Sequence, residues 1–305
     1  TIFTNPGVRF VNLNVAAVDA FKHAAVPLVA DAREGLEALT AALAGWSADD
    51  GWRQAAARHN RDWDEQVERV YRAGNGPLPS QGEVIGAVND AAEPRDVVVC
   101  AAGSMPGDLH KLWRTRDPKQ FHLEYGNSCM GYEIPGAIGI RMADPSREVF
   151  AMVGDAGYLM SPGELVTAVA ERVKIIVVLV QNHGYASIGS LSEASGNGRF
   201  GTRFRHREAD GSEGGRLPVD LAANAASLGA KVLTPRTVGE LADALKEARE
   251  ADGPVVVHVE TDPLHYVTIG GAWWDVAVAE VSDSEDVRRA RADYERSKQD
   301  QRHYL

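Results

Sequence analysis

The chain has 305 residues, with 32 Lys+Arg against 43 Asp+Glu, a net charge of −11, 44% hydrophobic and 25% charged residues. This composition excludes disorder as the main state, because enough apolar side chain is present to offset chain entropy. The acidic balance argues against nucleic acid and anionic membrane as main partners, and no apolar run approaches the roughly 20 residues of a bilayer span.

Residues 8–15 (VRFVNLNV) and 26–31 read as strands, and 32–43 as a helix with Leu36, Leu39 and Leu43 on one face. This block, residues 1–45, is too small to bury its own core and reads as the carboxyl end of a larger α/β domain. Residues 46–77 are charged but carry Trp52, Trp63 and Tyr71, as expected of a helical connector that packs on a neighbour. From residue 78 to 262 the pattern is regular and predicts one complete domain. A helix (81–92) leads to a strand (97–100), then a short strand (121–125) and a Gly-punctuated helix (131–142). A strand (148–153) ends in Gly154-Asp155-Ala156, and a helix (162–172) follows with Ser161 as N-cap and Pro162 in its first turn. Residues 175–180 are an uninterrupted aliphatic run, expected of a strand buried on both faces. Residues 189–217 are Gly/Ser-rich and basic, without periodicity. A helix (219–228), a strand (231–234), a helix (238–251) and a strand (254–260) complete the domain, with Thr237 and Glu240 as a capping box. Alternating helices and buried strands predict an α/β fold, a doubly wound parallel sheet preceded by the end of a second α/β domain. Residues 263–305 read as an extension, with Trp273 and Trp274 as core or interface anchors and 282–301 as a charged, solvated helix.

Ligands of open parallel sheets bind beyond the carboxyl ends of the strands. Three such ends carry polar or Gly-rich sequence: Ala102-Gly103-Ser104, Gly154-Asp155-Ala156 and Gln181-Asn182-His183-Gly184. Asn182 follows Asp155 by 27 positions, with one helix and one strand between, so both can meet at one rim. A carboxylate, an amide oxygen and the Gly184 carbonyl are hard donors suited to Mg²⁺ or Ca²⁺. Gly154, Gly157 and Gly184 allow close backbone approach to a ligand. Alone, either motif is an ordinary turn; together, after consecutive buried strands, they indicate a cation–phosphate site.

Gly154-Asp155-Ala156 followed by Gln181-Asn182 resembles the signature of thiamine-diphosphate (ThDP) enzymes, with Ala156 in place of a final Gly and Gln181 in place of a first Asn. That resemblance assigns the metal ligands to Asp155, Asn182 and Gly184, and implies ThDP and Mg²⁺ as cofactors. GNSCMGYEIPGAIG, residues 126–139, resembles the segment that cradles the aminopyrimidine ring. It implies that Met130 is the apolar wedge bending the cofactor, with the backbone of Ser128 and Met130 on the pyrimidine edge. The alternative for Met130 is a core-filling side chain. Ser104, beside Gly103, matches a hydroxyl near the diphosphate, and Gly154, Ala156, Gly157 and Tyr185 complete the implied cofactor contacts.

FHLEYGNSCMGYEIPGAIGIRMADPSREVFAMVGDAGYLM and GAWWDVAVAEVSD resemble, more narrowly, the trihydroxycyclohexane-1,2-dione hydrolases of myo-inositol catabolism. The resemblance implies hydrolytic C–C cleavage of a polyhydroxylated cyclic 1,2-diketone to an open aldehyde acid, 5-deoxyglucuronate. His183, His122 and Glu124 are the candidate proton-transfer residues, with solvent-facing or strand-packing roles as the alternatives. Arg199, Arg203, Arg205, His206 and Arg207 belong either to a lid over the substrate or to a solvated loop, and are expected to be poorly ordered without cofactor. Two cysteines, Cys100 and Cys129, make no disulfide scaffold and fit a reducing, cytoplasmic setting. The family's glutamate on the pyrimidine N1′ belongs to a separate domain, so this chain is expected to be the carboxyl half of a longer homo-oligomeric enzyme and inactive alone. The alternatives are a ThDP-dependent 2-oxoacid decarboxylase or acetolactate synthase relative, and a non-catalytic half that binds a partner.

Overall fold

The computed structural model describes residues 3, 5, 7–265, 267–270 and 273–301. Gly271 and Ala272 of the late GAWWDVAVAEVSD segment lie outside them. The chain divides into two compact units, residues 1–63 with 271–305, and residues 64–270. Among the described residues no helix is long and apolar enough to cross a membrane.

In the first unit, β1 (Val11–Asn14) and β2 (Val26–Val29) form a parallel pair with Val11 opposite Val26. The helix Ala32–Ala42 follows, capped by Asp31, whose side chain accepts the N–H of Arg33 and Glu34. Two strands and one helix bury little: Val11 is 65% and Val26 63% exposed. The later helix, Glu285–Gln299, is capped by Ser284 and buries Val287 and Tyr294 against Val278 and Trp273. Trp273 therefore serves a small core, while Trp274 is exposed.

The second unit is built on six parallel strands: β3 (Val97–Cys100), β4 (Phe121–Leu123), β5 (Val149–Gly154), β6 (Ile176–Gln181), and, after the hairpin β7 (Arg205–Arg207) and β8 (Glu213–Arg216), β9 (Lys231–Leu233) and β10 (Val255–Glu260). Their order is β4-β3-β5-β6-β10-β9. β5 and β6 are buried through all their central residues and β10 is buried at every valine, as a sheet covered on both faces requires. Each such fully buried Val, Ile or Leu contributes roughly 1.5–3 kcal/mol. Helices Glu133–Ala143, Glu164–Ala170 and Leu221–Ser227 supply Ile134, Leu165 and Leu221 to the core on one face. The helix Gln81–Ala91 begins with a full capping box, Ser80 with Glu83, and packs against the helix Val238–Arg249. It is notched at Gly86, where a Cβ would lie 2.6 Å from the ring of Tyr71. The chain leaves β3 for the edge strand β4 and returns to β5 on the other side of β3. The loops after β3 and β5 therefore diverge and open a crevice at their carboxyl ends.

Three local expectations change. The helix predicted from Pro162 begins at Glu164 with Gly163 as N-cap, and Ser161 caps nothing. Residues 161–163 first make a tight turn, and Ser161 is packed beside Gly131, where a Cβ would lie 2.8 Å from its Oγ. The capping box at Thr237 is half formed: Thr237 accepts the Glu240 N–H at 3.2 Å, but the Glu240 carboxylate takes the Arg236 N–H at 2.7 Å. The stretch 189–217 contains the end of the helix Ala186–Ala194 and the β7–β8 hairpin. Its helix buries only Gly189, and the β7 residues are charged and exposed, so neither element has an apolar stripe.

Candidate functional site

Asp155 directly follows β5 and opens the short helix Asp155–Tyr158, with Gly154 as its N-cap. The residue is 1% exposed. Its Oδ1 accepts the Ala156 N–H at 2.8 Å, and its Oδ2 accepts the N–H of Asn182 at 3.2 Å and of Gly184 at 3.1 Å. Burial pushes the carboxyl up to about 6, against the pull of these backbone amides. A nearby cation would favour the ionised form. Asn182 Oδ1 is buried and has no hydrogen-bond partner. An orphaned buried acceptor costs roughly 1–3 kcal/mol, which a cation bound at that oxygen would offset. Gly184 has no room for a side chain: a Cβ would meet the Thr202 carbonyl oxygen at 2.3 Å. Among the described residues no cluster of three or more His, Cys, Asp or Glu forms a softer metal site. One carboxylate, one unpaired amide oxygen and one backbone carbonyl fit a hard, oxygen-seeking cation such as Mg²⁺.

Beside these donors is a cavity open to solvent. The structure brings to its walls every residue proposed from the sequence as a cofactor contact: Gly103, Ser104, Ser128, Met130, Gly154, Ala156, Gly157 and Tyr185, together with Asp155, Asn182 and Gly184. Gly103 has φ +89°, a conformation natural to glycine, and turns the chain sharply after β3. Met130 and Tyr185 are each 38% exposed, which leaves apolar surface for a ring to cover. Ser104 Oγ donates to Gln81 Oε1 at 3.3 Å, and Gln81 Nε2 donates to Asp108 Oδ2 at 2.6 Å. Burial pushes Asp108 up to about 6.

The proton-transfer candidates lie apart from these walls. His183, with φ +62°, lines a neighbouring pocket with Arg199, Arg203, Arg205 and Arg216. Its Nδ1 is 3.0 Å from Gln181 Nε2, and its Nε2 is 3.3 Å from Glu260 Oε1. Gln181 Oε1 is in turn 2.5 Å from His258 Nε2. Burial, reinforced by Arg216, lowers the His183 pKa, and burial lowers that of His258. With the Gln181 amide donating to Nδ1, the neutral His183 ring carries its proton on Nε2, facing Glu260. His122 is stacked on Tyr132 and shares a 2.7 Å hydrogen bond with its hydroxyl. Glu124 accepts the N–H of Asn127 at 3.3 Å and of Cys129 at 2.8 Å, so it shapes the 126–130 loop. These bonds hold its carboxyl below the usual range.

Several residues of the site escape sequence reasoning. Gln81, Met105 and Ile188 also line the cavity. The signal for Gln81 was its place beside Ser80 in the Ser-x-x-Glu capping pattern, which fixes where that helix starts. Gln181, read only as a departure from a motif, bridges two histidines.

Residues 101–259 match the family described as thiamine pyrophosphate enzyme, C-terminal TPP binding domain. The chain is 38% identical, over 95% of its length, to 3D-(3,5/4)-trihydroxycyclohexane-1,2-dione hydrolase 2 of Bacillus cereus, and covers 49% of that protein. It is 36% identical, over 95% of its length, to the hydrolase of the same description from Halalkalibacterium halodurans, covering 48% of it. The chain thus spans about half the length of the curated relatives it matches. Among solved structures, it resembles a thiamine diphosphate-dependent 4-hydroxybenzoylformate decarboxylase of Rhodococcus jostii RHA1, with TM-score 0.53 and 18% identity, over 62% of this chain and 34% of that one. A benzoylformate decarboxylase from Polynucleobacter necessarius gives TM-score 0.52 at 22% identity, over the same shares. At such identities these two likenesses concern the fold alone.

Proposed function

The chain belongs to the thiamine pyrophosphate enzyme family, and from that premise we propose that it carries the diphosphate-binding half of a ThDP- and Mg²⁺-dependent hydrolase that opens a cyclic 1,2-diketone. The observation that carries the cofactor reading is the orphaned Asn182 Oδ1, buried beside Asp155 at the mouth of the cavity. The substrate reading rests on the relatives named as trihydroxycyclohexane-dione hydrolases. On that reading we assign the reaction to myo-inositol catabolism, and separately we propose a cytoplasmic setting.

Asp155, Asn182 and the Gly184 carbonyl would hold the metal, and with it the diphosphate, at one rim of the sheet. Gly103 leaves the backbone open toward the ligand, and Ser104, whose hydroxyl donates to Gln81, offers its oxygen as an acceptor at the cavity wall. Met130 and Tyr185 offer apolar surface to its rings. ThDP, when bound, supplies the electron sink for C–C cleavage, which no side chain provides. The overall change is balanced by one water: the bond between two adjacent carbonyl carbons breaks, one carbon becomes a carboxylate and the other takes up a proton as an aldehyde. His183, neutral and oriented by Gln181, carries a proton at Nε2 in the pocket beside the cavity, and we assign the proton transfer to it. We take residues 78–262 as the cofactor domain, 46–77 as its connector, 1–45 as the end of a central domain and 263–305 as an extension. The other wall of the active site is assigned to a pyrimidine-binding domain from a longer polypeptide or another subunit, in a homodimer or larger.

The experiment is an assay of the full-length protein with ThDP and Mg²⁺, offered the trihydroxycyclohexane-1,2-dione or pyruvate. Release of an aldehyde acid from the diketone is expected. Pyruvate turnover without ring opening would make it a 2-oxoacid lyase or ligase. Cofactor binding without turnover of either would make it a non-catalytic module.

A further inference from the structure

Glu133 opens the helix Glu133–Ala143, yet it is only 1% exposed. No cationic side chain forms an ion pair with it among the described residues; its carboxylate sits instead among backbone amides. Its Oε1 accepts the Ala102 N–H at 3.3 Å and its Oε2 the Gly131 N–H at 3.0 Å. Burial raises the carboxyl pKa and the amides oppose it. An ionised carboxylate is the form that can accept from both segments at once.

One amide belongs to a wall of the cofactor cavity and the other adjoins one. Ala102 precedes Gly103 and Ser104, and Gly131 follows Met130. A third wall runs close to the same group, since a Cβ added to Gly157 would lie 3.4 Å from Glu133 Oε1. The 126–130 segment is exposed, and Met130 is flanked by two amides held by carboxylates: Cys129 N–H on Glu124 at 2.8 Å, and Gly131 N–H on Glu133. Gly131 has φ +90°, and a Cβ there would collide with Met160 and Ser161. The backbone just after Met130 is therefore clamped from two sides, one of them a buried charge.

We propose that Glu133 is a positioning residue that sets Met130 against the cofactor by anchoring Gly131 to the loop after β3. This rests on the cofactor reading above. The negative charge is required because two N–H donors from different segments converge on its two oxygens. A glutamine can accept one of them but turns an NH₂ toward the other.

The test compares ThDP affinity, at saturating Mg²⁺, of the full-length protein, Glu133→Gln, Met130→Ala and the double variant. Glu133→Gln is expected to weaken ThDP binding about tenfold or more. In the Met130→Ala background the same change should have little further effect, since the residue being positioned is gone. Unchanged affinity in Glu133→Gln overturns the inference. So does a tenfold loss that persists in the Met130→Ala background, which would make Glu133 a general support of the fold. No ThDP binding by the parent protein overturns the cofactor reading, and the inference with it. Should Glu133→Gln fail to fold, Glu133→Asp, which keeps the charge but withdraws it by one methylene, is read by the same outcomes.

Discussion

The Asp155 carboxylate is bonded to the Asn182 backbone across the ends of two adjacent strands, its Oδ2 accepting the Asn182 N–H at 3.2 Å. Residues 27 positions apart are thereby fixed in one rim, and the Asn182 Oδ1 is left buried with nothing to accept. The rim is therefore an arrangement that a bound cation would complete. That state of affairs has consequences that can be measured separately for stability and for binding.

Asn182→Ala removes an orphaned acceptor and so should not lower the stability of the cofactor-free protein; a gain of up to roughly 1 kcal/mol is expected. The same variant should lose most of the Mg²⁺ dependence of ThDP binding. Thermal melts with and without ThDP and Mg²⁺ check both. A large loss of cofactor-free stability would mean that the side chain is structural.

Gly184→Ala should be destabilising by about 1–3 kcal/mol, because its Cβ would meet a backbone oxygen of Thr202, not a movable side-chain end. The shift should reach Asp155, which accepts the Gly184 N–H, and weaken cofactor binding as well. Denaturant melts and ThDP titrations measure the two effects.

Asp108 gives a pH prediction. Burial raises its folded pKa to about 6, above the ordinary carboxylate value of 3.8. Between those values the folded state binds more protons than the unfolded state, so stability falls as pH rises. The contribution is fully present below pH 3.8 and lost as pH passes about 6. Asp108→Asn keeps an acceptor for Gln81 and removes the titration. Relative to the parent, the variant should gain stability progressively from pH 4 to pH 7, by about 2–3 kcal/mol at most. Melts across that range check it, and a difference independent of pH would contradict it.

The sheet was legible because its four central strands, β3, β5, β6 and β10, are largely apolar and buried, and Val97–Cys100 was readable to the residue. The rim was legible because Asp155 and Asn182 each follow such a strand. What was not legible depends on packing rather than pattern. The helix Met105–Leu112 is short and starts in a Gly- and Pro-containing stretch, so its Met105–Leu109–Leu112 face is hidden. Ser161 has the chemistry of an N-cap but is held in a turn against Gly131. Glu133 looks like an ordinary acidic residue in a first helical turn, and only the folded chain shows two loops donating to it.

The most direct measurement is the Tm of the full-length protein and of Asp155→Asn, each with ThDP, with Mg²⁺ and with both. The parent should rise in Tm with the pair together and far less with either alone; at 100 times Kd such binding adds roughly 2.7 kcal/mol. Asp155→Asn should show no such rise, because the carboxylate that would hold the metal is gone. A parent that does not respond to the pair, or an Asp155→Asn variant that responds as the parent does, would contradict the account.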